Sequence, residues 1–264
     1  MASIHIGVGG WDYEPWRETF YPPKLAKAKQ LEYVGAHLTA TEVNATYYRS
    51  QKPETFARWA QTVPDGFRFA LKASRFCTNR RVLGEAGESI ARFCGQGLTE
   101  LGDKLGPILW QLAPTKKYDP DDISAFLALL PTRQDGIALR HAIEVRHESF
   151  RSAEFVAQAR AAGVAIVFAH HDTYPEIADQ TAGFVYARLQ STRAEEPTGY
   201  TSAELDGWAE VIRGWASGER PAGRAYASNV PASAEPREVF AFIISGAKER
   251  NPAAAMALIE RTAR

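Results

Sequence analysis

The sequence is poor in several things. Cysteine is nearly absent: Cys77 and Cys94 are the only two in 264 residues. That excludes a disulfide-stapled scaffold. The start, Met-Ala-Ser-Ile-His-Ile, runs directly into a strand pattern without a basic region and long apolar stretch, so reduced thiols and a cytoplasmic location are expected. Net charge is also missing, with 31 basic residues against 31 acidic ones. A broad nucleic-acid or anionic-membrane surface is therefore not expected. No apolar run approaches a membrane span; the longest candidate, Val239 to Ile244, is strand-sized. There is no Rossmann glycine fingerprint, no Walker loop and no internal repeat.

What is present is ordinary globular composition, 45% hydrophobic and 23% charged, in a chain long enough for a large core. The core is announced by eight short apolar runs. They begin at Ile4, at Leu38 leading into Thr41-Glu-Val-Asn44, and at Phe67, Pro107, His141, Val164, Phe184 and Val239. Amphipathic or well-capped helical segments lie between most of them. Pro22-Pro23 is expected to open a helix from Lys24 to His37. Further helices are expected from Pro53, from Glu88 to Leu101, after the Asp119-Pro120 cap, after Ser152, behind the Thr201/Glu204 capping box, and from Asn251-Pro252. Near-continuous apolar strands alternating with helices predict a parallel sheet, and eight such units predict an α/β fold of the closed (β/α)8 or TIM-barrel type. One domain is expected over residues 1–264, with the Gly-, Pro- and Ala-rich stretch 217–236 as a surface insertion.

Several segments together resemble a known family: Gly9-Gly-Trp-Asp-Tyr13 with Trp16 and Phe20-Tyr-Pro22; Glu42-Val-Asn-Ala-Thr-Tyr-Tyr-Arg49; Phe67-Arg-Phe-Ala-Leu-Lys-Ala73; Leu105-Gly-Pro-Ile-Leu-Trp-Gln-Leu112; Glu144-Val-Arg-His147; and Val185-Tyr-Ala-Arg-Leu189. In order and character the chain is similar to domain-of-unknown-function family 72 (DUF72). The resemblance implies a TIM barrel and supplies no reaction. Two places depart from the family pattern. The last strand runs into Ile244-Ser-Gly-Ala-Lys-Glu-Arg rather than an Asn-rich run, and strand six is followed by His170-His171-Asp172 rather than an Asp-Ser pair.

A barrel of this type works at the C-terminal ends of its strands. Strand side chains alternate, so Glu42 and Asn44 share a face, and a carboxylate and an amide on a core strand are unfavourable unless paired or used. Other strand ends add Lys72, Gln111, Glu144, Arg146, His147 and Arg188. Glu42 and Glu144 are the expected proton-transfer pair. Lys72 stands with them as a catalytic candidate, either a charge clamp, a base or a Schiff-base nucleophile. Arg146 and Arg188, with Asn44, Gln111, His147, Trp11 and Tyr13, are the expected ligand-binding set. Two carboxylates against three cations leave positive charge to spare, which points to an anionic small molecule bearing phosphate or carboxylate. A closed ion-pair network filling the barrel is the competing reading.

The leading expectation is thus an enzyme acting by acid/base chemistry on an anionic or polyhydroxylated small molecule, with no cofactor. A metal-dependent phosphoesterase or nuclease-like hydrolase would instead use Glu42, Glu144, His147, His170, His171 and Asp172 as ligands. A non-catalytic binding protein is the third reading. Sequence leaves the substrate, reaction class and oligomeric state open.

Overall fold

Glycine at position 7 sets how closely the first two strands approach. A Cβ there would sit 1.9 Å from the carbonyl oxygen of Ala40, so no other residue fits between β1 (Ile4–Gly9) and β2 (Ala40–Val43). The computed structural model describes residues 2–263. From this pair the sheet continues through β3 (Arg68–Lys72), β4 (Leu105–Gln111), β7 (His141–Glu144) and β8 (Ala165–Ile166) on one side. On the other side lie β11 (Glu238–Ile243), β10 (Phe184–Leu189) and β9 (Phe168–His170). All pairings in this sheet are parallel. A small antiparallel hairpin, β5 (Arg133–Gln134) and β6 (Ile137–Ala138), stands apart.

The nine segments make eight staves, because β8 and β9 are one path interrupted at Val167. Its first half pairs with β7 and its second with β10. The Val167 amide still donates to Ile143 O at 2.9 Å. The sheet is therefore a nearly closed parallel barrel, as the count of apolar runs predicts.

Helices cover the outside. Pro53–Thr62, Pro120–Ala128, Ala153–Ala161, Ser202–Ser217 and Asn251–Thr262 begin where the caps and prolines place them. Both halves of the Thr201/Glu204 capping box are formed. Two helices are shorter than expected. Pro22-Pro23 opens none: Lys24 has φ +65°, and the chain becomes helical only at the 3-10 turn Lys27–Lys29 and then Gln30–His37. The helix Gly87–Cys94 stops before Gly97, whose φ of +94° is left-handed, and 3-10 turns follow over Leu98–Lys104, broken by the non-helical Gly102 (φ +54°). Of the stretch 217–236, Ser217 closes the helix Ser202–Ser217, and 218–236 carries no helix or strand. It is tied to the 176–182 segment, with Ala178 N bonded to Ala225 O at 2.8 Å and Ala227 N to Asp179 Oδ2 at 2.7 Å.

The barrel lumen holds its own apolar cluster, with Ala40, Ala70, Leu109, Ala142, Tyr186 and Phe242 among its members. The period of two then dictates what lies above it. Two residues after Ala40 comes Glu42; after Ala70, Lys72; after Leu109, Gln111; after Ala142, Glu144; after Tyr186, Arg188. Five of the strands thus end in a polar side chain on the same side as its apolar predecessor, whereas β11 continues from Phe242 to the apolar Ile244.

Candidate functional site

Arg188 is the centre of this polar layer. It is 3% exposed, and its guanidinium grips Glu42 with two hydrogen bonds of 3.1 Å, from Nε and from Nη2. Its remaining arm, Nη1, donates to Glu144 Oε2. Glu42 also accepts from the Tyr186 hydroxyl at 2.8 Å. Glu144 accepts from Gln111 Nε2 at 3.0 Å and Arg146 Nε at 2.7 Å. Arg146 in turn lies over the Tyr174 ring, 4.4 Å from its centre. Glu42 and Glu144 have no exposed surface, and each receives three donors. The two carboxylates and the two arginines balance in charge.

Burial alone would push the Glu144 carboxyl upward. The Arg188 and Arg146 guanidiniums beside it and the Gln111 amide outweigh that and hold it at about 2. Arg188 is held above its ordinary value by Glu144 and Glu42, so it stays charged. The phenol of Tyr186 is pushed well up by burial and by Glu42, so it remains a donor.

Lys72 is the cation left over. It is 9% exposed, and among the described residues its Nζ has no carboxylate within ion-pair distance. It rests instead over the Tyr47 ring, 4.3 Å from the centroid. Desolvation and the nearby positive charge of Arg188 draw its pKa from 10.5 to about 8, against the opposing pull of Glu42 and Glu144.

Above this layer opens a cavity of about 420 Å³. Lys72, Gln111, Arg146, Arg188 and Asn44 line it, as expected from their strand-end positions, and so does Tyr13. Asn44 reaches it by a different route from the one expected: β2 ends at Val43, and Asn44 has helical angles, leading into the single turn Ala45–Tyr48.

Other expected residues lie elsewhere. Trp11 packs edge-on against Trp59 at 5.2 Å and Phe69 at 6.4 Å and does not line the cavity, because the bend at Gly10 (φ +71°) carries the indole outward to the core. His147 is occupied as the cap of the turn Glu148–Phe150, its Nδ1 accepting from Ser149 N at 3.1 Å. His170 packs on Trp208 at 4.7 Å, and His171 stacks on Tyr174 at 4.0 Å. Among the described residues, no three His, Cys, Asp or Glu side chains converge as metal ligands. The set Glu42, Glu144, His147, His170, His171 and Asp172 is thus not brought together; Glu42 and Glu144 are turned toward Arg188 and the histidines toward turns and rings.

The mouth also contains residues that strand reading passed over. Lys248, Ser245 and Asn251 come from the segment after β11, and Asp12, Trp16 and Tyr48 complete the wall. Ser245 (φ +65°) and Gly246 (φ +56°) turn the chain back across the opening. A Cβ at Gly246 would meet Thr192 Oγ1 at 2.5 Å, which restricts that turn to glycine. The Trp16 indole donates to Lys248 O at 2.7 Å and fixes the base of the lysine. Asp12 is engaged by Lys27 at 2.5 Å. The signal was available: Ser245 to Arg250 follows the last strand, where a barrel keeps its site.

The profile of a family described as a protein of unknown function, DUF72, matches residues 5–264. The chain belongs to the DUF72 family. A UPF0759 protein of Bacillus subtilis, YunF, is 26% identical over 160 residues, 59% of this chain and 55% of YunF. The chain thus spans about half the length of this curated relative. A DUF72 family protein of Thermotoga maritima superposes with a TM-score of 0.74 at 18% identity, covering 99% of this chain and all of the other. A xylose isomerase-like TIM barrel fused to a 4-hydroxyphenylpyruvate dioxygenase superposes at 0.55 with 13% identity, over 99% of this chain and 44% of the fusion. These superpositions establish the TIM-barrel fold and carry no activity to this DUF72 chain. Among its described residues no helix is long and apolar enough to cross a membrane.

Proposed function

We propose that this DUF72 protein is an enzyme that binds an anionic or polyhydroxylated small molecule at the C-terminal mouth of the barrel, with Lys72 as the group that moves the proton. The observation that carries this reading is the isolation of Lys72 Nζ. Two buried carboxylates share its layer, yet both are committed to Arg188 and its partners.

Such isolation disfavours the folded state, since an ammonium out of water wants a counter-ion. A ligand anion would supply one. With a pKa of about 8, roughly one Lys72 in ten is neutral at pH 7, so the same group can give or take a proton near neutrality. Glu42 and Glu144, the proton-transfer pair expected from sequence, suit that task less well. Glu144 at about 2 is a weak base, and all four carboxylate oxygens already accept hydrogen bonds. In this reading they hold Arg188 still. Arg146 and Lys248 attract the anion, Asn44 and Gln111 orient it, and Tyr13 and Tyr48 wall the cavity.

The test is a thermal-shift series with inorganic phosphate, sugar phosphates and small carboxylic acids on the wild-type chain and on Lys72→Met. Some of these anions are expected to raise the melting temperature of the wild type and to leave Lys72→Met unmoved. Equal shifts in both proteins, or no shift with any anion, would contradict the proposal.

A further inference from the structure

We infer that Lys72 acts as a covalent nucleophile, capturing in the barrel mouth a small aldehyde or ketone that carries a carboxylate or phosphate. The inference rests on the function proposed above and goes further, to the substrate's reactive group and a bond.

An amine attacks a carbonyl only when it is unprotonated, unpaired and reachable. Two features meet those conditions at one atom. Lys72 Nζ makes no ion pair among the described residues and opens on the cavity of about 420 Å³. The charged and titratable groups near it are Glu42 on β2, Tyr47 on the turn after it, Glu144 at the end of β7, Arg146 just beyond, and Arg188 on β10. The carboxylates in that set are neutralised by the arginines, so Lys72 is itself the surplus cation and finds no free base to hold its proton. Its lowered pKa of about 8 agrees with this placement. Lys248, also on the cavity wall, can hold the anionic end of the same small molecule, with the guanidinium of Arg146, already paired to Glu144, lining the cavity beside it. A purely structural lysine would pair with Glu42 or Glu144, and a simple anion clamp would have no need of a depressed pKa.

The step is balanced without a cofactor. The neutral Nζ adds to the carbonyl carbon, forming a C–N bond while the π electrons move to oxygen. One amine proton passes to that oxygen, giving a carbinolamine. Protonation of the hydroxyl by solvent in the open mouth lets it leave as water, and the nitrogen lone pair closes the C=N bond of the iminium. Loss of the second amine proton gives the neutral imine.

The experiment is reductive trapping on the intact wild-type chain. The protein is incubated at pH 8 with glyoxylate, and separately with glyceraldehyde 3-phosphate, in the presence of cyanoborohydride, and the alkylated lysines are mapped by peptide mass spectrometry. Lys72 is expected to be labelled on the order of ten-fold faster than Lys248 and the exposed Lys24 and Lys52. Its labelling should rise as pH passes about 8 and slow when excess phosphate competes. Labelling of Lys72 no faster than of Lys248 and the exposed lysines would overturn the inference. The comparison is internal to one folded chain, so no variant is required. Slow labelling of Lys72 together with Lys72-dependent thermal shifts would remove the covalent step and leave the anion-binding site standing. Loss of both would remove the site as well.

Discussion

At the N-terminal end of the barrel, Glu238 accepts from His5 Nε2 at 2.8 Å and from the Arg140 guanidinium, while Arg140 covers the Phe240 ring at 4.9 Å and donates to Leu105 O at 3.2 Å. At the C-terminal end, Glu42 and Glu144 are held by Arg188, Arg146, Tyr186 and Gln111. Both ends gather charges from distant strands, and both pair every carboxylate. They differ in what is left over. The lower end closes on its own carboxylate, partly open to water, and leaves no lysine stranded. The upper end has both carboxylates wholly buried, is balanced without Lys72, and keeps Lys72 anyway. A network built only to fill a barrel would stop at neutrality. The surplus cation at the mouth is the feature that stability does not explain.

Removing the arginine at each end separates these roles. Arg188→Met leaves two wholly buried carboxylates short of donors and is expected to lower unfolding stability by about 3–5 kcal/mol in denaturant titrations. Arg140→Met leaves a carboxylate that is a quarter exposed and still has His5, so a loss of about 1–2 kcal/mol is expected, with anion binding at the mouth unchanged. Equal losses at the two ends would erase the distinction.

The upper network also has an acid limit. Glu144 is held at about 2, below its ordinary 4.5, so its stabilisation is complete above pH 4.5 and is lost as pH falls toward 2. The window corresponds to about 3 kcal/mol. The stability gap between wild type and Glu144→Gln, followed by chemical denaturation against pH, should narrow through that range. A gap that stays constant down to pH 2 would show that the pairing does not hold Glu144 ionised.

Lys72 should behave in the opposite sense. Its folded pKa lies below 10.5, so between about 8 and 10.5 the unfolded chain binds more protons and stability rises with pH. Below pH 8 the full penalty applies. Lys72→Met is therefore expected to be more stable than wild type at pH 7, by about 1–3 kcal/mol, with the difference shrinking toward pH 10.5. A destabilised Lys72→Met would mean the lysine is structural after all.

The smallest effect belongs to a pair with the same chemistry and far more exposure to solvent. Arg193 grips Glu204 with both arms at the start of Ser202–Ser217, at 2.9 and 2.5 Å, and the bonds from Arg193 and Thr201 hold that carboxyl at about 2 as well. The group is 41% exposed, so solvent screens the pair. Arg193→Met should have the smallest effect on unfolding stability of these substitutions, vanishing in high salt. An effect matching that of Arg188→Met would mean that burial is not what distinguishes the two pairs.

The barrel was legible because its signals are local and periodic: apolar runs, capping residues and prolines mark each stave and most helices. The members of the polar layer were legible for the same reason, since alternation places Glu42, Lys72, Gln111, Glu144 and Arg188 above lumen residues. Their partners were not. Whether Arg188 turns to one carboxylate or two depends on side-chain directions across the lumen, from strands about 50 to 150 residues apart in sequence. The expected surplus of one cation was correct as arithmetic, but only the pairing shows that Lys72 is the one left free. Trp11 and Lys248 eluded strand reading because each follows a left-handed residue that redirects the chain, Gly10 in one case and Ser245-Gly246 in the other. The helix expected from Pro22-Pro23 failed for a related reason, the left-handed Lys24.

The most direct measurement is an NMR titration of the Lys72 ammonium, assigned by comparison with Lys72→Met. A midpoint near 8 is expected in the free protein, moving upward when phosphate or a carboxylate occupies the mouth. A midpoint at the ordinary lysine value of 10.5, unmoved by any anion, would contradict it.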